Sequence, residues 1–272
     1  MILISYGITK SGSTLAYQLA KNILAAAGHR QDTIPRNLLD AVDPDVNFIT
    51  SVNAERLHGL MAAVPSDTIV AVKTHAPYPV KQLPELDQLV ADGKLKVHAS
   101  CRDPREICLA LLDAGRKHRA IGERSFADIT TLDEAAAAVD AQIHAYLLWA
   151  SVEGTLKLGY DRTAFEMPAQ AKTMAEHLGV SVDTDAVCEF VAHHAKTHKN
   201  KALPRRFKTD LTPAENAKLY KKFETFIIKA CHSPRPHWYA RHRERFLKLA
   251  ANANVAKPAA GPAITPGRTG TT

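Results

Sequence analysis

Ile4-Ser5-Tyr6-Gly7-Ile8-Thr9-Lys10-Ser11-Gly12-Ser13-Thr14-Leu15 runs from an apolar stretch into a turn carrying one lysine, glycines and a run of hydroxyl side chains, and then into residues with helical spacing. A strand, a small-residue loop and a helix in that order make an anion cradle. Backbone N–H groups at the helix start point outward, and the helix dipole favours negative charge there. Glycine allows close approach of the main chain, Lys10 brings a mobile positive charge, and Ser11, Ser13 and Thr14 surround Gly12 with hydroxyls. The loop comes near the pattern GxxxxGK[ST], but its lysine lies two residues ahead of Gly12 instead of directly after it. That displacement argues against an ordinary ATPase or kinase loop.

Further segments carry chemistry of the same kind. Val70-Ala71-Val72-Lys73-Thr74-His75-Ala76-Pro77 ends a predicted strand. In an open parallel sheet, ligands bind beyond the carboxyl ends of the strands, so Lys73 and His75 are expected to face the same crevice as Lys10. Val97-His98-Ala99-Ser100-Cys101-Arg102-Asp103-Pro104-Arg105-Glu106 is again strand into helix. Pro104 suits a first helical turn, Asp103 reads as the N-cap with Glu106 as its capping-box partner, and the Arg102 fork suits a phosphate. Near the C-terminus, Arg205-Arg206-Phe207-Lys208-Thr209-Asp210-Leu211-Thr212 leads a basic loop into a helix that starts Thr-Pro-Ala-Glu.

Together these segments resemble the sulfotransferases that use 3′-phosphoadenosine 5′-phosphosulfate (PAPS). Thr9-Lys10-Ser11-Gly12-Ser13-Thr14 is similar to that family's first phosphate loop, Pro-Lys-Ser-Gly-Thr-Thr, with Thr in place of Pro and Ser in place of the first Thr. Lys73-Thr74-His75-Ala76-Pro77 resembles its Lys-Thr-His-x-Pro motif, and Arg102-Asp103-Pro104-Arg105-Glu106 its second loop. The resemblance implies His75 as the base, Lys10 at the bridging and 5′-phosphate oxygens, Lys73 at the transferred sulfonate, and Arg102 at the 3′-phosphate. It also implies PAPS as donor, no metal, and Arg205 and Arg206 as candidate phosphate ligands. The family's serine eight residues after the arginine falls on Ala110, which leaves Arg105 or a later basic group to compensate. Leu158-Gly159-Tyr160-Asp161-Arg162 resembles the family's Tyr-Glu-Asp stretch; there Tyr160 packs on the adenine or fills the sheet edge.

The elements that must position these residues alternate. Apolar runs at Ile2 to Tyr6, Val46 to Val52, Thr68 to Lys73, Leu95 to Cys101 and Thr155 to Leu158 are each followed by helical spacing, which predicts an α/β fold with a mainly parallel sheet flanked by helices. Helices are predicted over Asp183 to Ala195, Thr212 to Cys231 and Pro236 to Ala250, giving one domain over residues 1 to 250 and a disordered Pro/Gly/Thr-rich tail over 251 to 272. With 272 residues, 46% hydrophobic and 23% charged, the composition excludes a fibrous or wholly disordered chain. The lack of a long apolar run or a signal-like start points to a cytoplasmic protein. Four cysteines without a CxxC pair exclude a disulfide framework.

The net charge of +7, from 35 Lys and Arg against 28 Asp and Glu, suits an anionic partner. Two other functions compete. A P-loop kinase wants an acidic residue at a strand end, and Asp40, Asp43 and Asp45 lie near a turn instead. A nucleic-acid or anionic-lipid binder would use His232 to Lys248, where Arg235, Arg241, Arg243, Arg245 and Lys248 interleave with Trp238, Tyr239 and Phe246; peripheral membrane contact there is the alternative to packing on the domain. His193, His194 and His198 lack a Cys or Glu to complete a metal site. The acceptor is read only as a hydroxyl or amine of a small molecule, saccharide or lipid, with Arg116, Lys117, His118, Arg119 and Arg124 favouring an acidic saccharide.

Overall fold

The computed structural model describes residues 1–40, 43–197, 203–231 and 236–253. Its order is β1 (Ile2–Gly7), α1 (Ser13–Ala26), β2 (Phe48–Ile49), α2 (Ala54–Ala63), β3 (Val70–Thr74), α3 (Leu83–Ala91), β4 (Leu95–Cys101), α4 (Pro104–Ala120), α5 (Leu132–Ser151) and β5 (Leu156–Gly159). There follow α6 (Tyr160–Phe165), α7 (Met167–Leu178), α8 (Thr184–His193), α9 (Pro213–Phe226) and α10 (Pro236–Ala253). The strands form one parallel sheet in the order β2-β3-β1-β4-β5.

Every residue of β1 is buried, as befits the central strand of a sheet covered on both faces. Alternation divides the core. Ile2, Ile4 and Tyr6 join Val70, Val72, Val97 and Ala99 against α2 to α5, α9 and α10, whereas Leu3 and Ala71 meet α1, α7 and α8 on the other side. From β1 the chain leaves toward β2 and from β4 toward β5, in opposite directions, so the crevice beyond their carboxyl ends is the switch point where such sheets bind ligands.

The differences from the sequence expectations have identifiable physical causes. The second strand shrinks from Val46 to Val52 to two residues, because the Thr50 N–H donates to the Asp40 carboxylate at 2.7 Å and leaves the ladder. Tyr160, expected at a strand end, instead opens α6. The helix expected to reach Cys231 ends at Phe226 and continues as a wider π-turn, Ile227–Cys231. Asp103 caps the Arg105 N–H, but Glu106 does not close a capping box. Its carboxylate binds Arg102 and the Phe207 N–H instead. Residues 251–253 belong to α10. His198, His232, Arg235 and the segment 254–272 lie outside the described residues. No helix among those described is long and apolar enough to cross a membrane.

Candidate active site

The loop after β1 turns sharply. Gly7 is required by close approach, since a Cβ there would lie 2.3 Å from the Ser100 hydroxyl and 2.5 Å from Ser13 Cβ. Gly12 has φ +82° and lies against Tyr160, whose Cδ2 would sit 2.5 Å from an added Cβ. No side chain caps α1 at Gly12, so the first-turn N–H groups of this helix keep their capacity for an anion. Ser11 turns its hydroxyl inward to the Ser100 carbonyl at 3.3 Å, and Ser13 is buried beside Gly7.

Lys73 and His75 arrive from the end of β3. Lys73 Nζ donates to the Thr14 hydroxyl at 2.8 Å, linking the end of β3 to the first turn of α1. Burial, with the nearby charge of Lys10, brings the Lys73 pKa down to about 8. Lys10 is likewise lowered by burial and by Lys117. Its ammonium lies 4.6 Å from the centre of the Phe126 ring. His75 Nδ1 lies 2.6 Å from the Gly7 carbonyl oxygen. A carbonyl only accepts, so Nδ1 carries the proton and Nε2 keeps its lone pair. Burial and the charges of Lys73 and Lys10 outweigh that bond and bring His75 down to about 3, so it is neutral at physiological pH. The sheet thus brings Lys10, Lys73 and His75 within electrostatic reach of one another, and the side-chain charges bearing on them are, among the described residues, positive.

Arg102 is on the far side of the loop. It is 9% exposed, its Nη2 donates to Glu106 at 2.7 Å and to the Leu203 carbonyl at 3.4 Å, and its guanidinium lies 4.1 Å from the Tyr160 ring centre. Arg102 Nε is buried with no hydrogen-bond acceptor among the described residues. Burial raises Glu106, against the pull of the Phe207 N–H and Arg102. Tyr160 therefore touches both Gly12 and Arg102, which neither the adenine-packing nor the edge-filling role anticipated.

The remaining basic candidates are distributed differently. Arg206 is buried and bridges Asp113 at 2.9 Å and Asp210 at 2.8 Å, so its fork is committed to carboxylates. Arg205 is exposed, with φ +56°. Arg105 is held by Asp103, by Asn216 at 3.0 Å and by the Phe207 ring at 3.6 Å, and Ala110 is buried. In the candidate acceptor segment, Arg116 pairs with Asp113, His118 with Glu123, and Arg119 donates to the carbonyls of Ala127 and Ile129. Lys117 is the member whose charge bears on Lys10. Sequence reasoning missed Gln142, whose Oε1 accepts the Thr9 N–H at 2.7 Å, along with Phe48, 5.8 Å from His75 ring to ring, and Phe126. No local pattern marks any of them.

No family model matches the chain, and a comparison with curated proteins finds no match. Solved structures are similar in fold. A retinol dehydratase in complex with androsterone and the inactive cofactor PAP (3′-phosphoadenosine 5′-phosphate) superposes with a TM-score of 0.53 at 14% identity, covering 87% of this chain and 83% of its own. Mouse sulfotransferase SULT7A1 complexed with PAP gives 0.53 at 13% identity, covering 93% and 88%. With its five parallel strands, flanking helices and basic loops at the carboxyl edge, the chain has the sulfotransferase fold.

Proposed function

We propose that the protein transfers a sulfonate group from PAPS to a hydroxyl of a small-molecule acceptor, releasing PAP. The observation that carries this is His75, neutral and held in one tautomer by the Gly7 carbonyl, beside two lysines whose charged neighbours, among the described residues, are themselves basic. The uncapped start of α1, with Lys10, Thr14 and Lys73, fits the 5′-phosphate end of the donor, and Arg102, with its orphaned Nε, fits the 3′-phosphate. Arg205 is retained as a further candidate there; Arg206 is not.

When bound, PAPS supplies an activated sulfonate and a leaving group that becomes more negative as it departs. Nε2 of His75 accepts the proton of the attacking hydroxyl, while the Gly7 carbonyl steadies the ring and the charge that develops on it. Lys10 and Lys73 present fixed positive charge where negative charge grows, which stabilises the transition state more than the ground state. A small-molecule acceptor is supported by the fold relative that holds androsterone. The kinase alternative finds less support, since Asp40 is tied to Arg56 and Thr50 and Asp43 to Lys196.

Titration calorimetry with PAP tests the proposal. Saturable one-to-one binding is expected, and its absence would overturn the assignment. Given binding, label from PAPS should reach an acceptor pool with the wild type, and His75→Ala and Lys10→Ala should each lose transfer by roughly a hundredfold or more while keeping the wild-type circular dichroism spectrum.

A further inference from the structure

Ile8, Thr9, Lys10 and Ser11 form a β-turn closed by the Ser11 N–H, which donates to the Ile8 carbonyl at 3.0 Å. Lys10, third in the turn, has φ +67°, and Thr9, second, is not among the non-glycine residues of positive φ. Positive φ at the third position alone is the mark of a type II turn, which is ordinarily built with proline second and glycine third. This chain has neither. Lys10 carries its Cβ into the left-handed region, and Thr9 has a free φ and an N–H that proline would lack.

One side chain meets that N–H. From α5, Gln142 Oε1 accepts it at 2.7 Å, and the main-chain carbonyl of Gln142 accepts the Tyr6 hydroxyl at 3.4 Å, so the same residue grips the chain before and within the turn. A strained backbone persists only where its surroundings over-determine it. We propose that Gln142 is a positioning residue: its amide oxygen holds Thr9 at the second position of the turn, supplying the restraint that proline would, and so keeps Lys10 in the left-handed conformation in which its ammonium lies over Phe126, within electrostatic reach of Lys73 and His75. The effect on the loop stands by itself, and the effect on transfer rests on the sulfotransferase reading.

The test is a cycle of wild type, Gln142→Met, Thr9→Pro and the double variant. Each is read by amide hydrogen exchange at Ser11 and Gly12, by PAP affinity and by kcat/KM. Gln142→Met should speed Ser11 exchange and weaken PAP binding by roughly tenfold, about the worth of one hydrogen bond. Thr9→Pro removes the N–H that Gln142 holds and fixes φ directly, so it should resemble the wild type. Adding Gln142→Met to it should then cost less than twofold. Gln142→Glu, which keeps the acceptor oxygen, should leave Ser11 exchange slow. Equal losses from Gln142→Met in both backgrounds, or unchanged exchange in Gln142→Met alone, would overturn the proposal. Should Gln142→Met not fold, recovery of a folded protein on adding Thr9→Pro supports it, and no recovery overturns it. If the wild type fails to bind PAP while the exchange cycle behaves as described, the transfer reading falls and the role of Gln142 in the loop stands.

Discussion

At the scale of single residues, the site is tuned by burial more than by pairing. Lys73 has a pKa near 8, below that of an ordinary lysine, because burial and Lys10 both disfavour its charge. An anionic ligand favours the charged form, so binding takes up a proton once the pH passes about 8. The affinity for PAP is therefore expected to be level through neutral pH and to fall above pH 8, by calorimetry across a pH series. Lys73→Arg, which stays charged, should lack that step. His75 moves the opposite limb. Held near 3, it is already neutral at pH 5, so kcat/KM should show no loss near pH 6.5, where an exposed histidine base would lose its lone pair to a proton.

At the scale of elements, the seating of α7 on the sheet carries its own sensitivity to acid. His98, on β4 opposite Ser5, is fully buried, and neither of its ring nitrogens has a partner among the described residues. Burial and the neighbouring His177 of α7 bring it down to about 3, and burial and Lys96 bring His177 to about 4. In the unfolded chain both would titrate near 6.5, so below that pH the unfolded state takes up protons that the folded state refuses. Stability is expected to be full above pH 6.5 and to decline as the pH falls toward 4, by up to ~1.4 kcal/mol per pH unit for each histidine. Urea unfolding at pH 7 and pH 5 checks this, and His98→Leu should shrink the difference between the two. The elements themselves were largely legible in sequence: the boundaries of β4 and α7 follow from apolar spacing and from Gly179 at the helix end. What escaped was set by distant partners. Glu106 leaves its capping box for the Phe207 N–H, Arg206 is claimed by Asp113, and Thr9 is held by Gln142 from far along the chain. No window of neighbouring residues contains such pairs.

At the scale of the whole molecule, the net charge of +7 has a deep part and a shallow one. Lys73 and Arg102 are buried at the crevice, whereas Arg241, Arg245 and Lys248 are exposed on α10. The aromatic residues expected to interleave with that basic stretch point elsewhere: Tyr239 and Phe246 are buried in the core, and Arg243 pairs with Asp87 at 2.6 Å. Added salt screens exposed charges strongly and buried ones weakly. The association rate for PAP should thus fall between 50 and 500 mM NaCl while the dissociation rate changes less than twofold, measurable by stopped flow. The crevice also has a built-in gauge. Gly12 lies against the Tyr160 ring and Arg102 stacks on it, so the spacing between the two arms that would grip opposite ends of a nucleotide is calibrated by one aromatic side chain borrowed from the start of α6. A change in the bulk of that ring resets the separation of both arms at once, so under the proposed function substitutions at position 160 are expected to alter the affinity for PAP.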